Sequence, residues 1–104
     1  MKEISVQELK EKMDNKEDFQ LIDVREPFEY EMSNLGGLNI PLSGILLEAD
    51  KISKDKPVIM QCRSGKRSAA AIQQLEQQGY DNLYNLEGGI LAWASEIDPD
   101  LQVY

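Results

Sequence analysis

The sequence predicts a single α/β domain (1–104) whose mostly parallel sheet carries helices on both faces. Two observations point there. Short apolar runs that read as strands (Gln20 to Val24, Pro57 to Gln61, Asn82 to Leu86) alternate with runs at helical spacing. Such alternation is the pattern of parallel sheets closed by crossover helices. The chain has 104 residues, enough for one domain with a layered core and too few for two.

Taken in order, residues 2–4 form a short edge strand. Ser5-x-x-Glu8 is a capping-box signature that opens a helix. Val6, Leu9 and Met13 then recur at helical spacing, and Asp14-Asn15 ends the run. Gln20-Leu21-Ile22-Asp23-Val24 is a central strand. Pro27 suits the first turn of a helix that Phe28 to Met32 continue. Gly36-Gly37 leads into a short strand, Leu38-Asn39-Ile40. Leu42 to Asp50 reads as a short apolar helix that sends Ile45, Leu46 and Leu47 to the core, and Lys51 to Lys56 as a charged turn.

The stretch from Pro57 to Ile72 organises the rest. A buried strand, Val58-Ile59-Met60-Gln61, runs into a cationic glycine loop, Cys62-Arg63-Ser64-Gly65-Lys66-Arg67-Ser68. An alanine-rich helix follows, with Ala69, Ile72 and Leu75 on one face and a stop at Gly79. Small alanines let this helix lie close to the sheet. Asn82 to Leu86 is a last strand. Ile90, Ala94 and Ile97 share a face of a last helix, and Trp93 is a core or lid residue.

Cys62 is the only cysteine. A lone cysteine is most often a small buried hydrophobe. Its context favours another reading. Ligands of parallel sheets bind just past the carboxyl ends of strands. The N-terminus of a helix presents unpaired amides and positive potential. A sulfur held there, beside Arg63, Lys66 and Arg67, is stabilised as a thiolate.

Composition narrows the chemistry. Eleven Lys and Arg against nineteen Asp and Glu give a net charge of −8, which argues against nucleic acid and anionic membranes as partners. The absence of histidine removes every Ser–His or Cys–His pair and most zinc sites, so no metal or other cofactor is expected. One cysteine allows neither an internal disulfide nor a Cys-x-x-Cys pair. No charged-then-apolar leader opens the sequence, and no apolar run approaches the roughly 18 residues of a membrane span. These features predict a cytoplasmic protein whose partner thiol comes from outside the chain.

Cys62-Arg63-Ser64-Gly65-Lys66-Arg67-Ser68 resembles the active-site loop of the rhodanese-like sulfurtransferases. Asp23-Val24-Arg25-Glu26, followed by Glu29-Tyr30, is similar to a second signature of that family. Gly88-Gly89-Ile90-Leu91-Ala92-Trp93 is similar to its closing Gly-Gly-x-x-Ala-Trp. The likeness spans Ile4 to about Trp93. Ser33-Asn34-Leu35 departs from the Gly-His-Ile of most members. That version, with the tail from Glu96 to Tyr104, looks like rhodanese-like domains fused behind adenylating enzymes that charge sulfur-carrier proteins.

The resemblance implies a five-stranded α/β/α sandwich with Cys62 as covalent sulfur carrier. It implies an anion-binding loop of Arg63, Ser64, Gly65, Lys66, Arg67 and Ser68. It brings Arg25 near the sulfur, either to hold an anionic donor or to join Asp23 in a structural network. Arg67 either attracts the donor or pairs with a carboxylate such as Glu26. The implied donor is a small anion such as thiosulfate. The implied acceptor is cyanide in an assay, and a thiol or sulfur-carrier protein in the cell. Ser64 stands where some thiosulfate-preferring relatives carry Lys, a pattern similar to the mercaptopyruvate branch. Two further readings stay open. Phosphatases and arsenate reductases of the same fold carry a Cys-x5-Arg loop, whereas four residues separate Cys62 from Arg67 here. Non-catalytic binding modules of the family usually lack the cysteine.

Overall fold

The strands form one sheet in the order β1 (Glu3–Ile4), β5 (Leu83–Leu86), β4 (Val58–Gln61), β2 (Gln20–Asp23), β3 (Leu38–Asn39). This computed structural model describes residues 1–103; Tyr104, the end of the tail noted above, lies outside the described residues. Every pairing is parallel, with Leu21 opposite Ile59, and Met60 opposite Asn85. Four α-helices accompany the strands: α1 (Val6–Asp14), α2 (Pro27–Met32), α3 (Lys66–Glu76) and α4 (Gly89–Glu96).

Alternation along β4 builds the two flanking layers. Val58, Met60 and Cys62 pack with Ala71, Ile72 and Leu75 of α3. Ile59 faces the other way, against Val6 and Leu9 of α1 and Trp93 of α4. All four β4 residues are buried, as a strand covered on both faces must be. Truncating Ile59 or Leu75 to Ala would cost roughly 2–5 kcal/mol through lost transfer energy and the cavity left behind.

The expected capping box holds α1. The Glu8 amide donates to Ser5 Oγ at 3.1 Å and the Ser5 amide to Glu8 Oε1 at 3.0 Å. Trp93 is a core residue, and α4 buries Ile90 and Trp93 rather than Ala94.

Two expectations are corrected. Leu42 to Asp50 is not a helix but two 3-10 turns, Leu42–Gly44 and Ala49–Lys51. The Leu42 amide is anchored on the Val24 carbonyl, and the turn closes at once by Ile45 N–H to Leu42 O. Consecutive leucines leave so tight a turn in different directions. Ile45 is therefore buried, while Leu46 is 47% and Leu47 90% exposed. The second correction concerns α3, which begins at Lys66. Lys66, Arg67 and Ser68 form its first turn, so the loop proper is shorter than the sequence suggests.

Candidate active site

Cys62 follows the last residue of β4 and is only 1% exposed. The chain then turns back so that its amides close on the sulfur. The Gly65 N–H donates to Sγ at 3.1 Å and the Ser68 N–H at 3.5 Å. Ser68 Oγ lies 3.5 Å from Sγ. Gly65 makes this closure possible: it caps α3 at φ +105°, a left-handed conformation that side chains resist.

The loop is also gripped from outside. The first turn of α4 binds its carbonyls, Ile90 N–H to Cys62 O at 3.0 Å and Leu91 N–H to Arg63 O at 3.1 Å. With those oxygens turned away, the loop amides are free to face inward. Asn85 of β5 adds a buried tether: Nδ2 donates to Gly65 O at 3.1 Å and Oδ1 accepts the Ser68 hydroxyl at 2.5 Å. Sequence reasoning missed Asn85. The signal was a polar amide in the otherwise apolar strand Leu83-Tyr84-Asn85-Leu86.

Two opposing effects act on the Cys62 thiol. Burial pushes it up, because the charged form loses water. Hydrogen bonds from the Ser68, Gly65 and Ser64 amides pull it down, as does the Ser68 hydroxyl whenever its proton is turned to the sulfur rather than to Asn85, and the net result lies below the ordinary thiol value. The hydrogen bonds lead: Arg63 and Lys66 are exposed, and Arg67, which feels the Cys62 charge, is paired chiefly with Glu29. Alkylation of Cys62 followed against pH should therefore show a midpoint under the free-cysteine reference of about 8.5. A midpoint at or above that value would mean that burial wins.

Arg67 pairs with Glu29, not with Glu26. Its Nη1 and Nη2 meet the two Glu29 oxygens at 2.6 and 3.0 Å. Glu29 is in turn held by the Glu26 amide at 2.9 Å, so α2 offers Arg67 a fixed carboxylate. The Arg67 hydrogen bonds, against the penalty of burial, hold the Glu29 carboxyl below its usual range. The sign follows: a depressed carboxylate contributes stability above its unfolded value of about 4.3 and loses it as pH falls through the folded value. Glu29→Gln should lower stability by about 1–2 kcal/mol at neutral pH. In urea unfolding that gap should close below pH ~4; a gap independent of pH would remove the pair as its source.

Of the two roles open to Arg25, the structure shows the network with Asp23. Arg25 is fully buried, with Nε and Nη2 on the Asp23 carboxylate at 3.0 and 2.7 Å and Nη2 also on the Ser33 carbonyl at 2.7 Å. Asn39 braces the same turn through the Asp23 and Arg25 carbonyls. A guanidinium so enclosed holds the chain after β2 in place. Asp23 lies on the sheet face opposite Cys62, as the alternation along β2 and β4 requires.

Thus Cys62, Gly65 and Ser68 converge on one point, Arg63, Ser64 and Lys66 are exposed, Arg67 is anchored to α2, and Arg25 is held by Asp23 and the Ser33 carbonyl. Comparison with known proteins gives this arrangement a family. The family model for the Rhodanese-like domain matches residues 5–96. A sulfurtransferase of Allochromatium vinosum is 40% identical over 93 residues, covering 88% of this chain and 87% of that protein. The probable adenylyltransferase/sulfurtransferase MoeZ of Mycobacterium tuberculosis is 30% identical over 104 residues; the match covers 97% of this chain but only 26% of that longer protein. Among solved structures, a rhodanese-like domain protein of Staphylococcus aureus superposes with a TM-score of 0.84 at 32% identity, covering 100% of this chain and 99% of that one. The chain belongs to the rhodanese-like domain family.

Proposed function

We propose that this chain is a sulfurtransferase that carries sulfane sulfur as a persulfide on Cys62. One observation supports the reading above all others: the sulfur of the only cysteine sits where the Gly65 and Ser68 amides converge. The Cys62 thiolate attacks the outer sulfur of a donor such as thiosulfate. A new S–S bond forms as the donor's S–S bond breaks, and sulfite leaves with the electron pair. Negative charge moves to the outer sulfur of the persulfide, where inward-facing amides receive it as an oxyanion hole receives a developing charge. A second nucleophile takes the outer sulfur and restores the thiolate. That acceptor is cyanide in an assay, and a thiol or sulfur-carrier protein in the cell.

Neither step needs an obligatory proton shuttle, which suits a chain without histidine. The exposed Arg63 and Lys66 attract an anionic donor in a protein of net charge −8. The four-residue spacing from Cys62 to Arg67 makes a smaller ring than a Cys-x5-Arg loop, which favours a single sulfur over a tetrahedral phosphoryl group. Intact-mass measurement tests the reading. Thiosulfate should add one sulfur atom to the protein, and cyanide should remove it. Aryl phosphate hydrolysis faster than turnover of any sulfane-sulfur donor would give the phosphatase reading first place.

A further inference from the structure

The Asn85 amide has only one workable orientation. Gly65 O is a carbonyl and can only accept, so the Nδ2 end must face it. The oxygen end then faces Ser68, and the Ser68 hydroxyl must be the donor in that 2.5 Å contact. A hydroxyl has one proton. With it committed to Asn85, the face that Ser68 Oγ turns toward Sγ, 3.5 Å away, is a lone pair. A neutral thiol suits this arrangement, because its S–H can donate to Oγ. A thiolate does not, because two electron-rich atoms then face each other. Turning the hydroxyl toward the thiolate would leave Asn85 Oδ1 without its donor. Asn85 is only 6% exposed and Ser68 fully buried, so water does not readily make up the loss.

We propose that Asn85 is a positioning residue for sulfur transfer: by claiming the Ser68 hydroxyl proton, it disfavours negative charge on Cys62 Sγ and favours it one atom further out, on the persulfide. The proposal rests on the sulfur-transfer reading for its consequence, but not for its geometry. In the loaded state Sγ is bonded to sulfur and carries little charge, so the Ser68 lone pair no longer opposes it. The loop amides still serve the outer sulfur. The downward pull of the Ser68 hydroxyl on the thiol is then available only when its proton leaves Asn85, while the amides pull without such a condition.

The test is a double-mutant cycle read on the pH profile of Cys62 alkylation by iodoacetamide, which needs no sulfur donor. In the wild-type background, Ser68→Ala removes the opposing lone pair, and the midpoint should fall. In an Asn85→Ala background the hydroxyl is free to donate to the thiolate. There, adding Ser68→Ala should raise the midpoint by about one pH unit, a tenfold change in thiolate population. A purely structural role for Asn85 would not reverse the sign. The charged groups of the loop, Arg63, Lys66 and Arg67 with its partner Glu29, do not change in the cycle. A midpoint that stays or rises on Ser68→Ala in the wild type overturns the proposal, and this arm decides alone if Asn85→Ala fails to fold. The consequence for transfer is read separately, as the persulfide fraction at a fixed ratio of thiosulfate to sulfite. It should fall about tenfold in Asn85→Ala, a difference of roughly 1.4 kcal/mol; an unchanged fraction overturns that part. If wild type forms no persulfide at all, the sulfur-transfer reading fails, while the alkylation result still judges the Ser68 proton.

Discussion

Replacing Cys62 by Ser or Ala should abolish thiocyanate formation from thiosulfate and cyanide, by at least roughly a thousandfold, and leave the protein's mass unchanged after thiosulfate. The size of the effect follows from there being no substitute. The chain has one thiol and no histidine, so no second thiolate or imidazole can take its place. Ser keeps the volume and a hydrogen-bonding atom, but its hydroxyl is far less acidic than a thiol, and nothing in the loop is placed as a base to activate it. Ala keeps the backbone and removes the functional atom. Both variants should fold, because Cys62 contributes little more than a small buried side chain to the α3 layer. Circular dichroism and thermal melting separate loss of chemistry from loss of fold. Substantial residual turnover in a folded Cys62→Ala protein would mean that sulfur passes without a covalent carrier at this position.

Much of this architecture was legible because local signals and long-range packing agree. The strands of the sheet centre are short apolar runs, and burial on both faces is what such runs require. The capping box at Ser5 announced α1, and Gly79 the end of α3. The segment from Leu42 to Asp50 misled because apolar content alone does not set direction: three adjacent apolar residues fit a helix pattern and a turn equally well, and only the bond from Leu42 N–H to Val24 O decides. At the site, position was readable and partnership was not. Cys62 at the end of β4, and the amide-rich turn after it, follow from the order of elements. The choice of Glu29 over Glu26 for Arg67 depends on the helical phase of α2. Asn85, 17 and 20 residues from its loop partners, and the first turn of α4, further still, reach the loop from distances in sequence where no spacing rule operates. Arg25 shows the converse: a motif places it beside the site, and its buried pairing with Asp23 shows only in the structure.

Gly89→Ala should cripple the site, and Gly79→Ala provides the measure of how much of that loss is strain alone. Both glycines have positive φ, +60° at Gly89 and +92° at Gly79. Alanine in such a conformation costs roughly 1–2 kcal/mol at either place. Their surroundings differ. A Cβ on Gly79 would meet nothing within 4 Å. A Cβ on Gly89 would lie 2.4 Å from Cys62 O and 2.5 Å from Arg63 O, both backbone atoms of the loop. No side chain can swing aside to relieve that contact, so either α4 or the loop must move. Movement of either one stretches the bonds from Ile90 N–H and Leu91 N–H that hold the loop carbonyls outward. The amides that face Cys62 lose their aim together, and each such donor is worth roughly 3–4 kcal/mol of barrier in sites of this kind. Gly79→Ala should therefore melt a few degrees lower with near-normal turnover. Gly89→Ala should lose more stability and at least about a hundredfold in sulfur transfer. Its Cys62 should also alkylate with a higher midpoint, since the groups that pull the thiol down are the ones displaced. If folded Gly89→Ala keeps the turnover and the alkylation midpoint of Gly79→Ala, the grip of α4 is not what aligns the loop, and the alignment must come from Asn85 and the Gly65 turn alone.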